Sequence, residues 1–192
     1  MNRHTHRLFQ YIQSKTRLDD SAMERIGACF SCKKLKRNEH LLIEGNVCRY
    51  NYFVNHGCLR FYSINEQGQE LIRYFAFEGK FGTALSSFIE EQSATENIQA
   101  IEKTEVLAIA RTDFYHLVDT MSAMNAIYRD VLEMAYVTSQ QRIYDFQGQP
   151  ALERLKWLLQ YQPNALTRLP SKMVAAYLGV TPYTLSRLKA EL

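Results

Sequence analysis

Between Leu41 and Ala110 the apolar residues occur in short runs, rich in Ile, Val, Phe and Tyr and separated by glycines. Runs of about four to eight residues are typical of strands and too short for most helices. The loop that ends at Gly68 suits a hairpin turn, because glycine readily adopts positive φ. The clearest runs are 41–44, 52–55, 58–64, 70–77, 98–100 and 105–110. This pattern predicts a compact all-β domain.

Helical periodicity flanks this β domain on both sides. Apolar residues at steps of three and four predict one or two helices over 7–30, a short helix over 112–119 with Thr112 as N-cap, and a longer helix over 122–146. The residues Gln-Gly-Gln-Pro at 147–150 indicate a hinge, and a helix over 151–162 follows, with Trp157 as a core anchor. We therefore predict an α+β chain with two domains, 1–146 and 147–192.

The longer helix carries an apolar seam with alternating steps of four and three residues. This heptad-like spacing favours pairing with a second copy of the same helix, so the seam predicts a homodimer. The alternative is that the same side of the helix packs on the β domain of its own chain. The seam consists of Met124, Tyr128, Val131, Ala135 and Thr138.

The last 43 residues are basic and contain a helix-turn-helix pattern. Residues 150–192 carry six Lys and Arg against two Asp and Glu. Ala175 supplies the small residue where two helices cross, and Gly179 supplies positive φ at the turn. Thr181 and Pro182 then suit the N-cap and the first turn of the second helix. The apolar contacts expected between the helices involve Val174, Leu178, Val180, Leu185 and Leu188.

The polar residues left around this motif are the candidates for DNA contact. Arg187 is the leading candidate for reading a base, with guanine as its expected partner. The other candidates on the second helix are Thr181, Tyr183, Thr184, Ser186 and Lys189, and those placed to meet backbone phosphates are Arg168, Ser171 and Lys172. A plain helical hairpin with a solvated face would explain the apolar spacing but not the local positive charge, so we predict binding to double-stranded DNA.

The order of β domain, long helix, hinge and helix-turn-helix resembles that of the Crp/Fnr family of bacterial transcription regulators, over nearly the whole chain. The β-domain signature is visible in Glu44-Gly45, in the segment 52–60 and in the segment 77–82. The segment 178–187, Leu-Gly-Val-Thr-Pro-Tyr-Thr-Leu-Ser-Arg, resembles the short regulators of this family found in Bacteroidetes. The resemblance implies a cyclic-nucleotide-binding-like β-roll and a homodimer that reads a palindromic promoter site and contacts RNA polymerase.

The effector pocket is where this chain departs from the cyclic AMP-binding members. Those members hold the phosphate with a glutamate and an Arg-Ser pair, and the corresponding positions here are Lys80 and Ala94-Thr95. Without the arginine, the phosphate lacks its bidentate partner. Thr138-Ser139 do match the pair that contacts the purine. We predict no dependence on cyclic AMP, an unknown effector or none, and a candidate pocket formed by Gly79, Lys80, Phe81, Gly82, Ala94, Thr95, Thr138 and Ser139.

Two further family features are not expected here. Iron–sulfur clusters in this family need clustered cysteines, and only Cys29 and Cys32 are close in sequence, so no metal or cofactor is predicted. Cys48 and Cys58 are expected to be buried core thiols in strands. Family members usually add a β-hairpin wing after the recognition helix, whereas this sequence ends at Leu192, so a wing-lacking form is expected.

The remaining function classes are less compatible with the sequence. No apolar run exceeds six residues, and the N-terminal residues show no signal-peptide pattern, so we expect a cytoplasmic protein without a membrane span. A metal-dependent cupin enzyme would need several converging histidines, and His40 and His56 are isolated. No enzyme is predicted. The alternative function is an effector-sensing or protein-binding β-roll with little specific DNA binding.

Overall fold

A computed structural model describes residues 4–192. In chain order the elements are α1 (His6–Lys15), α2 (Asp20–Ala28), β1 (Phe30–Leu35), β2 (His40–Leu42), β3 (Tyr50–His56), β4 (Leu59–Ile64), β5 (Glu70–Ala76), β6 (Phe81–Gly82), α3 (Leu85–Glu90), β7 (Asn97–Ala100), β8 (Thr104–Ala110), α4 (Arg111–Thr120), α5 (Ser122–Gly148), α6 (Ala151–Tyr161), α7 (Ala165–Arg168), α8 (Ser171–Leu178) and α9 (Pro182–Ala190). Among these described elements, no helix is long and apolar enough to cross a membrane.

The chain divides into two compact units. Unit 1 comprises Met1–Ser63 and Tyr74–Val131, and unit 2 comprises Ile64–Arg73 and Leu132–Leu192. Helix α5 begins in unit 1 and ends in unit 2, and the loop between β4 and β5 belongs to unit 2 with residues from both strands. The boundary predicted between residues 146 and 147 stays a prediction.

The β domain consists of two four-stranded sheets. Their strand orders are β1-β8-β3-β6 and β2-β7-β4-β5, and β8 pairs antiparallel with both β1 and β3. Phe53 on β3 and Phe61 on β4 are completely buried. Burying a large aromatic side chain removes much apolar surface from water, so residues of this kind dominate the stability of the core.

Three elements of the β domain are absent from the sequence predictions, namely strand β1, the two-residue strand β6 and helix α3. Strand β1 forms because it pairs with β8 over its whole length, from Phe30 opposite Ile109 to Leu35 opposite Thr104. Its four central residues are Ser, Cys, Lys and Lys, so no apolar run marks it as a strand. Helix α3 has only six residues, which is too short for its periodicity to be recognised.

The helix after β8 begins earlier than predicted. Thr112 as N-cap is wrong, because Arg111 is already helical and Ala110 occupies the capping position. The chain passes directly from strand to helix, and the Arg111 side chain donates to the carbonyls of Phe88 (2.7 Å) and Ile89 (3.2 Å) at the end of α3.

The long helix and the break after it are confirmed. Helix α5 ends at Gly148 and α6 begins at Ala151. In α6 the fully buried residues are Leu155 and Leu158. Trp157, predicted as a core anchor, is only half-buried and stacks on Tyr161 with ring centroids 5.4 Å apart.

Candidate nucleic-acid interface

Helices α8 and α9 are joined by a tight turn at Gly179. This glycine has φ +66°, and the amide of Val180 donates back to the Ala175 carbonyl at 3.0 Å. The Thr181 side chain accepts a hydrogen bond from the Thr184 amide at 3.1 Å, with Pro182 in the first turn of α9. The cap and the turn are therefore formed by the residues that the sequence analysis selected.

The apolar residues of the two helices form a local core. Ala175, at the expected crossing position, is 1% exposed. Of the five residues predicted to make apolar contacts, four are buried, namely Val174, Leu178, Leu185 and Leu188, and Val180 is half-buried. This packing determines which side chains of α9 remain on the surface.

The surface left by this packing is polar and positively charged. Residues 165–190 contain four Lys and Arg and no Asp or Glu. Tyr183 is 74% exposed, and Ser186 and Arg187 are also exposed on α9. Such a surface attracts phosphates and leaves side chains available for base edges.

The residues predicted to meet phosphates lie at the start of α8 and just before it. Ser171 and Lys172 are exposed, and Arg168, the last residue of α7, is half-buried. Lys189 of α9 donates to Ser171 Oγ at 3.2 Å, so Ser171 connects the second helix to the start of the first. Thr184 is half-buried, and its hydroxyl lies 2.9 Å from that of Thr181.

Arg142 is a structural residue of unit 2 that the sequence analysis missed. Its guanidinium donates to the carbonyls of Ile72 (2.6 Å) and Tyr177 (3.3 Å), and also to that of Arg73. It lies 4.2 Å from the centre of the Tyr177 ring. One signal was present in the sequence, because Arg142 continues the predicted seam four residues after Thr138.

The predicted seam on α5 packs inside its own chain in its first half. Met124 is 3% exposed, and Tyr128 and Val131 pack partly buried against the same core. These contacts match the alternative of packing on the β domain, and pairing of two copies through the seam stays a prediction. Further along, Ala135 is exposed, and Thr138 donates to the Met134 carbonyl at 2.7 Å.

A different side of α5 is apolar and exposed. Tyr136, Val137, Ile143 and Tyr144 are 66%, 63%, 50% and 62% exposed. They form two pairs with a separation of seven residues, which places them on one side of the helix. We call these four residues the outer face of α5.

The predicted effector residues of unit 1 have several structural roles. Gly79 forms a turn with φ +77°, and its amide donates to the Val54 carbonyl at 2.9 Å. Phe81 packs on Phe53 with ring centroids 5.0 Å apart, and a Cβ at Gly82 would lie 2.5 Å from Phe61 Cζ.

Among the remaining predicted effector residues, Lys80 and Thr95 are exposed, while Ala94 is 3% exposed. Thr138 and Ser139 belong to unit 2, with Ser139 exposed. The effector pocket as a whole stays a prediction.

A shallow cleft in unit 1 is lined by other residues than those predicted. It measures about 300 Å³ and is lined by His40, Leu41, Leu42, Ile43, Asn46, Val47, Arg49, Tyr50 and Tyr52. His40 Nε2 lies 3.0 Å from the Tyr62 hydroxyl. Partial burial and the nearby Arg60 guanidinium lower the pKa of His40, so its imidazole is neutral at neutral pH.

The four cysteines divide into two groups. Cys48 and Cys58 are 1% and 0% exposed, as predicted, although each lies just outside a strand. Cys29 donates to the Arg25 carbonyl at 3.4 Å, whereas Cys32 is exposed on β1 with its Sγ 3.7 Å from His4 Nδ1.

Comparisons with known proteins identify the fold. Residues 32–121 match the family model of the cyclic nucleotide-binding domain. No curated protein matches the sequence. The likeness to solved structures extends well beyond the domain that the family model covers.

Three solved structures illustrate this likeness. A mutant of CooA from Carboxydothermus hydrogenoformans is 16% identical with a TM-score of 0.71, covering 100% of this chain and 84% of that one. FixK2 from Bradyrhizobium japonicum is 19% identical with a TM-score of 0.69, covering 85% and 84%. The c-di-GMP responsive global regulator CLP from Xanthomonas campestris is 15% identical with a TM-score of 0.67, covering 90% and 91%. The chain thus shares their fold, a cyclic-nucleotide-binding β-roll followed by a long helix.

Proposed function

We propose that this chain is a homodimeric DNA-binding transcription regulator of the Crp/Fnr type that acts in the cytoplasm. The observation that carries the proposal is the pair α8 and α9, with its turn at Gly179, its cap at Thr181 and a surface of four cations without acidic residues in 165–190. In the proposal these helices are a helix-turn-helix, and α9 enters the major groove of a palindromic promoter site. Contact with RNA polymerase completes the regulatory role.

The polar residues of this motif divide between two kinds of DNA contact. The base readers are Arg187 and its neighbours Tyr183, Thr184 and Ser186 on α9, because this side of the helix is left free by the packing of Leu185 and Leu188. The phosphate contacts are Arg168, Ser171, Lys172, Thr181 and Lys189, which lie around the ends of the two helices. The hydrogen bond between Lys189 and Ser171 helps to fix the position of the end of α9 relative to the start of α8, where these phosphate contacts lie.

The proposed regulator does not depend on cyclic AMP. Lys80 is exposed and stands where the cyclic AMP-binding members have a glutamate, so it supplies no carboxylate. The Ala94-Thr95 pair has no guanidinium to hold a phosphate. The relative CLP is described as responsive to c-di-GMP, which makes this dinucleotide a second useful probe. A signal would act by changing how the two copies of α5 pack and therefore the spacing of the two α9 helices.

Selection of genomic fragments tests the proposed function. The purified chain is mixed with fragmented bacterial DNA at near-physiological salt, without nucleotide, with cyclic AMP and with c-di-GMP, and the retained DNA is sequenced. We expect enrichment of a palindrome whose half-sites are about one helical turn apart. Enrichment that requires cyclic AMP would contradict our view of the effector. Retention without any shared site under all three conditions would favour the β-roll module with little specific DNA binding.

Arg187→Ala separates base reading from general attraction. We expect binding to the selected palindrome to weaken by about 1–3 kcal/mol per half-site, because a good base contact contributes this much discrimination. Binding to unrelated DNA should change little. Fluorescence anisotropy on both kinds of DNA measures the two effects, and equal losses on both would contradict a base-reading role.

Lys172→Ala is the matched comparison, since it removes one exposed cation from the same motif. A phosphate contact contributes to all sequences alike, so both kinds of DNA should lose affinity equally. The slope of log affinity against log salt should decrease by about one per protomer. An unchanged slope would contradict the phosphate contact.

A further inference from the structure

A histidine, a cysteine and a glutamate converge on one side of unit 1, far from α8 and α9 in sequence. His4 Nδ1 lies 3.0 Å from Glu105 Oε1 and 3.7 Å from Cys32 Sγ. The three ligand atoms all lie within 4.8 Å of one another. The side chain of Glu105 is 19% exposed and that of His4 is 38% exposed, so the cluster is reachable from solvent but partly enclosed.

The fold brings the three residues together from three separate segments. Strand β1 pairs with β8 so that Lys34 lies opposite Glu105 and Cys32 opposite Leu107. Cys32 is therefore the diagonal neighbour of Glu105, a spacing that long side chains can bridge. The residues that precede α1 add His4 from a third direction.

A fourth residue orients the carboxylate. Asn55 on β3 donates through Nδ2 to Glu105 Oε1 at 2.6 Å. Ligating carboxylates in metal sites are hydrogen-bonded in the same way, and such outer partners contribute substantially to metal affinity.

We propose that His4, Cys32 and Glu105 bind one Zn²⁺ ion, with a water molecule as the fourth ligand. Thiolate, imidazole and carboxylate together form a ligand set that favours Zn²⁺ over the hard ions Mg²⁺ and Ca²⁺, which take oxygen ligands. On binding, the Cys32 thiol releases its proton to solvent and the sulfur donates an electron pair to the ion, so charge and atoms balance without an oxidant.

No metal site is expected from the sequence alone, because the three ligands are far apart along the chain. Residues 32 and 105 lie 28 and 101 positions from His4, so no spacing motif marks the set. The proposal does not depend on DNA binding. Bound Zn²⁺ would connect the segment before α1 to β1 and β8 and stabilise the β domain by mass action.

One nearby cation opposes the ion and supplies a sharp test. Lys34 Nζ lies 3.9 Å from Glu105 Oε2, and its positive charge would repel a bound divalent ion. The Lys34→Gln variant should therefore bind Zn²⁺ more tightly than the unmodified chain, whereas substitution of a ligand should weaken binding.

Metal titration of the full chain tests the site. The protein is reduced, freed of metal by a chelator and titrated with Co²⁺, whose bond to a thiolate gives a charge-transfer absorption band. Zn²⁺ is then added in competition with a chromophoric chelator to measure affinity. We expect one Zn²⁺ per chain, displacement of Co²⁺ by Zn²⁺, and a higher midpoint of thermal unfolding when Zn²⁺ is present.

Four variants assign the ligands. Cys32→Ser should abolish the thiolate band, and both Cys32→Ser and His4→Gln should weaken Zn²⁺ binding by more than about tenfold, since even outer-shell losses have effects of this size. The controls Cys29→Ser and His6→Gln alter the nearest residues of the same type along the chain and should bind Zn²⁺ normally. Circular dichroism of the metal-free variants verifies folding. Absence of the band in the unmodified chain, or equal effects of the Cys29 and Cys32 variants, would overturn the proposal.

Discussion

The double variant Val137→Glu/Tyr144→Glu is expected to sediment as a monomer and to bind the selected palindrome about 100-fold more weakly than the unmodified chain. Both residues lie on the outer face of α5 and are more than half exposed in the single chain. In a dimer they would be buried, and two carboxylates on each copy would lose hydration and repel one another. A monomer binds only one half-site. In a dimer, binding of the first α9 raises the effective concentration of the second α9 at the other half-site, and a monomer loses this gain in affinity.

The control for this prediction carries the same added charge elsewhere. Gln10→Glu/Gln13→Glu places two carboxylates at exposed positions of α1. We expect this variant to remain a dimer by analytical ultracentrifugation and to lose little DNA affinity. If the outer-face variant is still a dimer at micromolar concentration, the copies pair through another surface. An unchanged circular dichroism spectrum is required in either case.

Gly57→Ala is expected to destabilise the β domain by roughly 2–5 kcal/mol. Gly57 has φ +90°, where an L-residue is strained by about 1–2 kcal/mol. A Cβ there would also lie 2.5 Å from Thr104 Oγ1 and 2.7 Å from the Lys103 carbonyl oxygen. Because one of these atoms is backbone, relief requires the chain to shift, and overpacking of this kind costs about 1–3 kcal/mol more. Urea unfolding followed by fluorescence measures the change.

Gly45 offers a matched control for the backbone strain alone. Its φ is +91°, nearly equal to that of Gly57, but a Cβ at Gly45 would meet no atom within 4 Å. We expect Gly45→Ala to cost only about 1–2 kcal/mol. Equal destabilisation by the two variants would show that the close approach to Thr104 contributes nothing, and that the segment relaxes freely.

Local chemistry explains which parts of the fold were predictable. Strands β3, β4, β5 and β8 are close to their predicted ranges, since each contains a clear apolar run. Strand β1 has two lysines at its centre and is a strand because β8 lies beside it. A strand that forms because of its pairing partner need not have the apolar run or alternation by which strands are predicted from sequence.

The same distinction applies to the candidate sites. The cap at Thr181 and the turn at Gly179 depend on residues a few positions apart, so both can be predicted from the sequence. The apolar period of α5 shows that one side of the helix is covered but cannot show what covers it. The spacing alone therefore leaves open a partner chain or the chain's own β domain, and the burial of Met124 is visible only in the structure. Contacts over long sequence separations, such as Arg142 with Ile72, were not predictable from spacing.

Arg142 binds the carbonyls of Ile72 and Arg73 in the segment Ile64–Arg73, and this contact limits how the protein can be divided into fragments. Because Ile64–Arg73 belongs to the same compact unit as Leu132–Leu192, the chain crosses between the two units three times rather than once. A C-terminal fragment cut out at a single point would leave behind the carbonyls of Ile72 and Arg73 that Arg142 binds. Exchange of unit 2 between proteins of this fold, in the laboratory or during evolution, would therefore need two matching junctions in the β domain and one in the long helix.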